Sequence, residues 1–353
     1  MTYEVTVEPT GEVITVEEGQ SILHAALRQG VWLPFACGHG TCATCKCRVL
    51  EGDVDIGEAS PFALMEMERE EGLILTCCAI PESDVTIEAD IDVDDDFMGF
   101  TVNDYQATVT NIEDLSPTIK GITFQLDSSM EFQAGQYVNV SIPGVEGTRA
   151  FSIANTPSDN QVLELHVRLL PGGLGTTYLH EQLRVGDSLE VSGPYGQFFA
   201  RYSDPKDVIF IAGGSGLSSP QSMILDLIER GDDRKIYLFQ GARNLSELYN
   251  RERFEQLQKS HSNFHYIPAL NEPEATDEWT GYRCFVHEAV NQYFDGKCEG
   301  HKAYLCGPPP MIDAAITTLM QARLFERDIH MERFVSAADT SDGASKSALF
   351  KRI

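Results

Sequence analysis

The chain has 353 residues, 42% of them hydrophobic, and a net charge of −28. That length implies two or three domains, and the apolar share suffices for packed cores, which sets aside wholesale disorder. So large an acid excess repels nucleic-acid phosphates, which excludes nucleic acid as a partner class.

The opening residues, Met1-Thr-Tyr-Glu-Val, show neither a basic n-region nor an apolar h-region. No later stretch approaches the roughly 20 uninterrupted apolar residues of a membrane span. The expectation is a cytoplasmic protein with no membrane partner. Charge is unevenly spread: residues 1–100 hold 21 acidic and 4 basic side chains, a net of −17, against −11 for the rest. The first hundred residues therefore form a separate electrostatic unit. In it Tyr3, Val5 and Val7 alternate with polar residues as in a half-buried strand, and a second strand is expected near residues 13–16. Ile22, Leu23, Ala26 and Leu27 then share one face of a helix that Ser21 can cap. Strands, a helix and a cysteine-rich loop make a small α+β domain.

Six of the nine cysteines lie between positions 37 and 78. In a small secreted chain they would signal disulfides; without an export signal, such clustering favours metal. Cys37-Gly-His-Gly-Thr-Cys42-Ala-Thr-Cys45 spells C-x4-C-x2-C, and 31 residues separate Cys45 from Cys77. Three thiolates in one tight loop plus a distant fourth is the plant-type [2Fe-2S] spacing. Gly38 and Gly40 let the loop wrap closely and offer N–H groups to sulfur. Zinc sites usually pair their ligands as two C-x2-C hooks, and only one hook is present. Cys47 falls outside the template and is expected to pack as a small apolar residue. Adjacent strand residues face opposite ways, so only one of Cys77 and Cys78 can reach the iron, and spacing leaves the choice open.

Five Asp fall within residues 90–96, and no strand or helix period is sustained there, so residues 93–104 read as an acidic linker after a first domain of 1–92. From 105 to 203 short strands separated by Gly and Pro, at residues 137–142, 150–154, 163–169 and 188–192, indicate an all-β barrel or sandwich. Within it, Arg149-Ala150-Phe151-Ser152 supplies a fork for a diphosphate, a ring for an isoalloxazine and a hydroxyl for a ring nitrogen. Taken alone it reads more readily as a strand with an exposed Arg and a core Phe. The third part, 204–353, changes character. Val208-Ile-Phe-Ile-Ala212 is a buried-strand run, Met223, Ile224, Leu227 and Ile228 follow at helical spacing, and further strands at 236–239, 264–267 and 303–306 give a parallel, doubly wound α/β domain.

Gly213-Gly214-Ser215-Gly216 follows the apolar strand and opens a helix, so its amides face the place where a pyrophosphate would sit. Ser219 stands at the third glycine position of the full fingerprint, and a plain tight turn accounts for the pattern about as well. Cys306 and Gly307 begin Cys-Gly-Pro-Pro-Pro-Met311; alone they read as a strand end and a rigid turn. A nucleophilic Cys306 would need a base partner, and none is identifiable.

Taken together, these residues resemble a known family. The cysteine loop and Leu75-Thr76-Cys77 look like plant-type ferredoxins, which implies a β-grasp fold and makes Cys77 the fourth cluster ligand beside Cys37, Cys42 and Cys45. The order ferredoxin, flavin domain, nicotinamide domain resembles the reductase components of bacterial aromatic oxygenases over essentially the whole chain. That resemblance implies a Greek-key FAD barrel in which Arg149 meets the pyrophosphate, Ala150 and Phe151 line the flavin and Ser152 approaches flavin N5. Phe151 stands where Tyr is usual, which keeps stacking and loses a ribityl contact. His166, Val167 and Arg168 match the second flavin strand. Gly172, Gly173 and Thr176 match a phosphate loop in which Thr176 replaces Ser. Gly213, Gly214 and Gly216 match the nucleotide loop, and Cys306 and Gly307 border the nicotinamide. Glu332 and Phe334 match the closing segment beside the flavin ring. The small polar residues after Phe334 look mobile.

Nicotinamide delivers two electrons at once and a [2Fe-2S] cluster accepts one, so a flavin between them splits the pair. No diiron Glu-x-x-His pairs, haem ligands or Ser-His-Asp set are evident, so no direct contact with an aromatic substrate is expected. The reading is an enzyme passing electrons from NADH through FAD and [2Fe-2S] to a separate diiron hydroxylase, by resemblance that of a multicomponent phenol hydroxylase. A ring-hydroxylating dioxygenase or another diiron monooxygenase is the alternative partner, and a redox-sensing regulator is the alternative of another class. NADH is expected over NADPH because Arg243 is the only candidate cation for a 2′-phosphate, with Glu247 nearby to oppose it.

Overall fold

In the first strands apolar side chains fall on one face: Val5 and Val7 of β1 (Thr2–Glu8) pack with Ile14 and Val16 of β2 (Glu12–Glu17). Helix α1 (Ile22–Arg28) buries Ile22, Leu23, Ala25, Ala26 and Leu27, and the Ser21 hydroxyl caps it by accepting the His24 N–H. After the cysteine loop come β3 (Lys46–Glu51), β4 (Val54–Asp55), α2 (Glu66–Glu70), β5 (Leu73–Leu75), β6 (Ile80–Pro81) and β7 (Val85–Glu88). The main sheet runs β2-β1-β7-β3-β5, with the β1–β7 pair parallel and the others antiparallel. This computed structural model describes residues 1–36, 38–92 and 94–334. The first unit spans Met1–Asn103, and a second begins at Asp104.

The acidic stretch expected as a linker is partly laid down on the first unit. The Phe97 ring meets Trp32 edge-on at 4.6 Å, and the Val102 N–H donates to the Leu27 carbonyl at 3.1 Å.

The second unit begins with a six-stranded barrel: β8 (Asn103–Ser116), β9 (Ile119–Leu126), β10 (Tyr137–Ser141), β11 (Thr148–Ser152), β12 (Val162–Arg168) and β13 (Ser188–Tyr195). Its order is β11-β10-β13-β8-β9-β12, and an antiparallel bridge from Ile153 to Leu165 closes β11 on β12. Inward residues such as Phe124, Val138, Leu165 and Val191 fill it. Helix α3 (Leu174–Thr177) lies between β12 and β13.

The rest alternates strand and helix: β14 (Asp207–Gly213), α4 (Ser218–Glu229), β15 (Ile236–Ala242), α5 (Arg251–Ser260), β16 (Phe264–Leu270), α6 (Val286–Tyr293), β17 (His301–Gly307), α7 (Pro309–Gln321) and β18 (Ile329–Arg333). The sheet is parallel in the order β16-β15-β14-β17-β18. In that topology the chain reverses direction of winding at β14, which leaves a crevice beyond the carboxyl ends of the strands. Among the described residues no helix is long and apolar enough to cross a membrane.

Candidate functional site

In the first unit, β3 and β5 bring Cys45 and Cys77 together: their sulfur atoms are 3.3 Å apart. Two thiolates on one tetrahedral metal at about 2.3 Å would sit about 3.7 Å apart, so the pair suits one shared ion. The Gly40 N–H donates to the Cys77 sulfur at 3.2 Å. Gly40 has φ +78°, and a Cβ there would lie 2.6 Å from the Cys78 sulfur, so any side chain would push the loop off the thiols. The Cys78 sulfur lies 3.7 Å from that of Cys77 and 3.8 Å from the Glu58 carbonyl. Cys42 lies half-buried in the loop, its sulfur 3.3 Å from the Thr44 hydroxyl, and Cys37 lies outside the described residues. Cys47 is buried, and that burial pushes its thiol up to about 12. These residues fit an iron–sulfur cluster: thiols converge, and a backbone N–H is aimed at one of them.

In the barrel, β11 places Arg149, Ala150, Phe151 and Ser152 in a row that runs from exposed to buried. Arg149 donates to the carbonyls of Glu146 and Thr148, and Phe151 packs half-buried against the barrel core. A Cβ on Gly175 would lie 3.4 Å from the Arg149 side chain, so the glycine-rich turn and the guanidinium form one cradle that suits a diphosphate. Gly172 and Gly173 lead into that turn, which the Thr176 hydroxyl ties together by accepting the Leu170 N–H and donating to the Gly173 carbonyl. On β12, Val167 points into the barrel core and His166 is buried between Glu164 at 2.9 Å and the Tyr249 hydroxyl at 3.2 Å. Their side chains are therefore engaged by protein, which leaves the strand backbone and Arg168 to face a ligand.

Arg168 turns toward the nucleotide loop, where a Cβ on Gly214 would come 3.2 Å from its guanidinium. With Gly213, Gly214, Arg243, Glu247 and Phe285 it lines a cavity of about 240 Å³ at the carboxyl end of the parallel sheet. Gly216 and the Cys306-Gly307 segment touch so closely that a Cβ on Gly216 would lie 2.5 Å from the Cys306 carbonyl. The two glycine motifs, far apart in the chain, thus form one wall.

Three elements, β11, α4 and β17, converge on Glu332 of β18. Its Oε2 accepts the hydroxyls of Ser152 and Ser219, each at 3.0 Å, and lies 3.7 Å from the Cys306 sulfur. Burial raises the Glu332 pKa, while the two hydroxyls and the thiol pull the other way. Burial, and then the neighbouring carboxylate, drives the Cys306 thiol well up, which disfavours the thiolate form that a nucleophile needs. Phe334 packs its ring against the nucleotide-domain core and donates its N–H to Gly307. The role of Ser219 as a partner of Glu332 escaped the sequence; the available signal was a serine in the buried first turn of α4, where an apolar residue would be ordinary.

Three family models match in chain order: a 2Fe-2S iron-sulfur cluster binding domain over residues 5–82, an oxidoreductase FAD-binding domain over 106–200 and an oxidoreductase NAD-binding domain over 210–317. Over all 353 residues, and all of each relative, the chain is 68% identical to a phenol hydroxylase P5 protein of Acinetobacter pittii. It is 67% identical over the same length to the phenol 2-monooxygenase reductase component DmpP of a Pseudomonas species. The chain belongs to the three-domain iron–sulfur flavoprotein reductase components. A cytochrome P450 reductase from Amycolatopsis has the same fold at 34% identity and TM-score 0.87, covering 95% of this chain and all of that one. The reductase is thus an NAD- and FAD-binding oxidoreductase with a [2Fe-2S] centre, and the expected fold classes hold for all three domains.

Proposed function

We propose that the reductase takes electrons from NADH and passes them through FAD and the cluster to the diiron hydroxylase of a multicomponent phenol hydroxylase. It would work in the cytoplasm, without itself touching the aromatic substrate. The observation that carries this reading is the full-length identity of 67–68% to phenol monooxygenase reductases, against 34% or less for demethylase, propane monooxygenase and dioxygenase relatives.

On this reading Cys37, Cys42, Cys45 and Cys77 hold the cluster. The cradle of Arg149 and the Gly172-to-Thr176 turn holds the FAD diphosphate, with Ala150, Phe151, Ser152 and the backbone of His166 and Val167 along the flavin. Gly213, Gly214, Gly216, Arg168 and Arg243 take the dinucleotide. When bound, the flavin supplies the conversion of a two-electron donor into single electrons. The chain's own part is positional: the Ser152 and Ser219 hydroxyls fix the Glu332 carboxyl by donating to its Oε2, and burial shifts that carboxyl toward its neutral form. Cys306 and Gly307 close the nicotinamide side, and Phe334 seals the strand end.

Reconstitution tests the reading. The purified reductase, added to phenol hydroxylase lacking its own reductase, should give NADH consumption matched by hydroxylated phenol. A system that oxidises NADH without product would send the search to another oxygenase.

A further inference from the structure

Glu247 lines the nucleotide cavity, yet its carboxylate is held from the other domain. Its Oε2 accepts the Thr118 hydroxyl at 2.9 Å and lies 3.5 Å from the Ser116 hydroxyl, both in the β8–β9 turn of the barrel. Its Oε1 lies 3.6 Å from the Arg243 guanidinium, which stands 58% exposed on the rim, whereas the Glu247 side chain is 15% exposed. In doubly wound folds the end of the second strand, here β15, is where the adenosine ribose is read. An exposed arginine there would invite a 2′-phosphate by forked hydrogen bonds, and Arg168 lines the same cavity from the barrel. A fixed carboxylate beside Arg243 does the opposite: it accepts ribose hydroxyls and repels a phosphate.

We propose that Thr118 is a positioning residue for nucleotide choice: the flavin barrel pins Glu247 in the cavity of the neighbouring domain and so favours NADH over NADPH. The inference rests on NADH being the donor. Without the Thr118 hydroxyl the carboxylate keeps the two longer contacts, to Ser116 and Arg243, and is free to swing toward Arg243 or solvent. The ribose then loses an acceptor and the 2′-phosphate loses its opponent.

The test measures kcat/KM for both nucleotides, and Kd for NAD+ and NADP+ by perturbation of the flavin spectrum, in the full-length holoprotein. Thr118→Val should lower the NADH:NADPH preference about tenfold, through KM and Kd rather than kcat, and Thr118→Ser should restore it. Thr118→Ala serves as a second variant should valine disturb the turn, with FAD content as the check on folding. An unchanged preference in a correctly loaded Thr118→Val or Thr118→Ala protein overturns the inference. A wild-type protein that prefers NADPH overturns the reading beneath it instead.

Discussion

At the scale of single residues, Cys77 and Cys78 pose the sharpest question, because the Cys77 sulfur lies 3.3 Å from that of Cys45 while its neighbour Cys78 sits 3.7 Å from Cys77 and reaches the Glu58 carbonyl. Cys77→Ala should abolish the cluster absorbance while NADH still reduces the flavin, and Cys78→Ala should keep both; the reverse pattern would move the ligand to Cys78. Glu332 gives a second test, through pH. Its folded pKa is raised above the ordinary 4.5, so its contribution to stability is complete at low pH and is lost as pH climbs through that raised value. Denaturation of wild type and Glu332→Gln across pH 4 to 8 should therefore show the variant gaining relative stability as pH rises. A difference independent of pH would mean that the carboxyl titrates normally. The cysteine spacing made the iron–sulfur domain legible because Cys37, Cys42 and Cys45 fall within nine residues of sequence, whereas Cys77 stands in the turn after β5 and not in a strand. Ser152 and Glu332 are 180 residues apart, and no local period records that they meet.

At the scale of elements, α2 carries part of the first unit's acid excess, a charge that can steer a partner, and the structure sorts its carboxylates. Glu68 accepts from the Lys46 ammonium at 2.6 Å and from the Met65 N–H, and the Lys46 bond holds its pKa down, so it braces the helix. Glu66 and Glu70 are exposed, with Met65, Met67 and a 96% exposed Phe62 among them. Charge reversal at Glu66 and Glu70 should slow hydroxylase-coupled turnover, as should salt near 0.5 M, where the Debye length falls well below about 8 Å. NADH reduction of the flavin should change little under either treatment. Indifference of the coupled rate to both would leave solubility as the purpose of the charge. Elements with a clean pattern were readable: β1, β2 and α1 stand where alternation or helical spacing put them, and β14 where the continuous apolar run did. Strands β8 and β9 were not resolved individually, because the second half of β8, Asn111 to Ser116, runs along the barrel edge with little buried and so carries no alternation.

At the scale of the whole molecule, the acid excess belongs mainly to the first unit, while the two nucleotide-binding domains form one contact unit. Their shared cavity, with Arg168 from the barrel and Arg243 from the α/β domain, has a thermodynamic corollary. A ligand that binds only when both walls are folded stabilises both walls at once. NAD+ at about a hundred times its Kd contributes about 2.7 kcal/mol to the folded state. In calorimetry the barrel and the nucleotide domain should therefore shift upward together as a single transition, while loss of cluster absorbance on heating keeps its own temperature. Two nucleotide-sensitive transitions in place of one would mean that barrel and nucleotide domain melt as strangers.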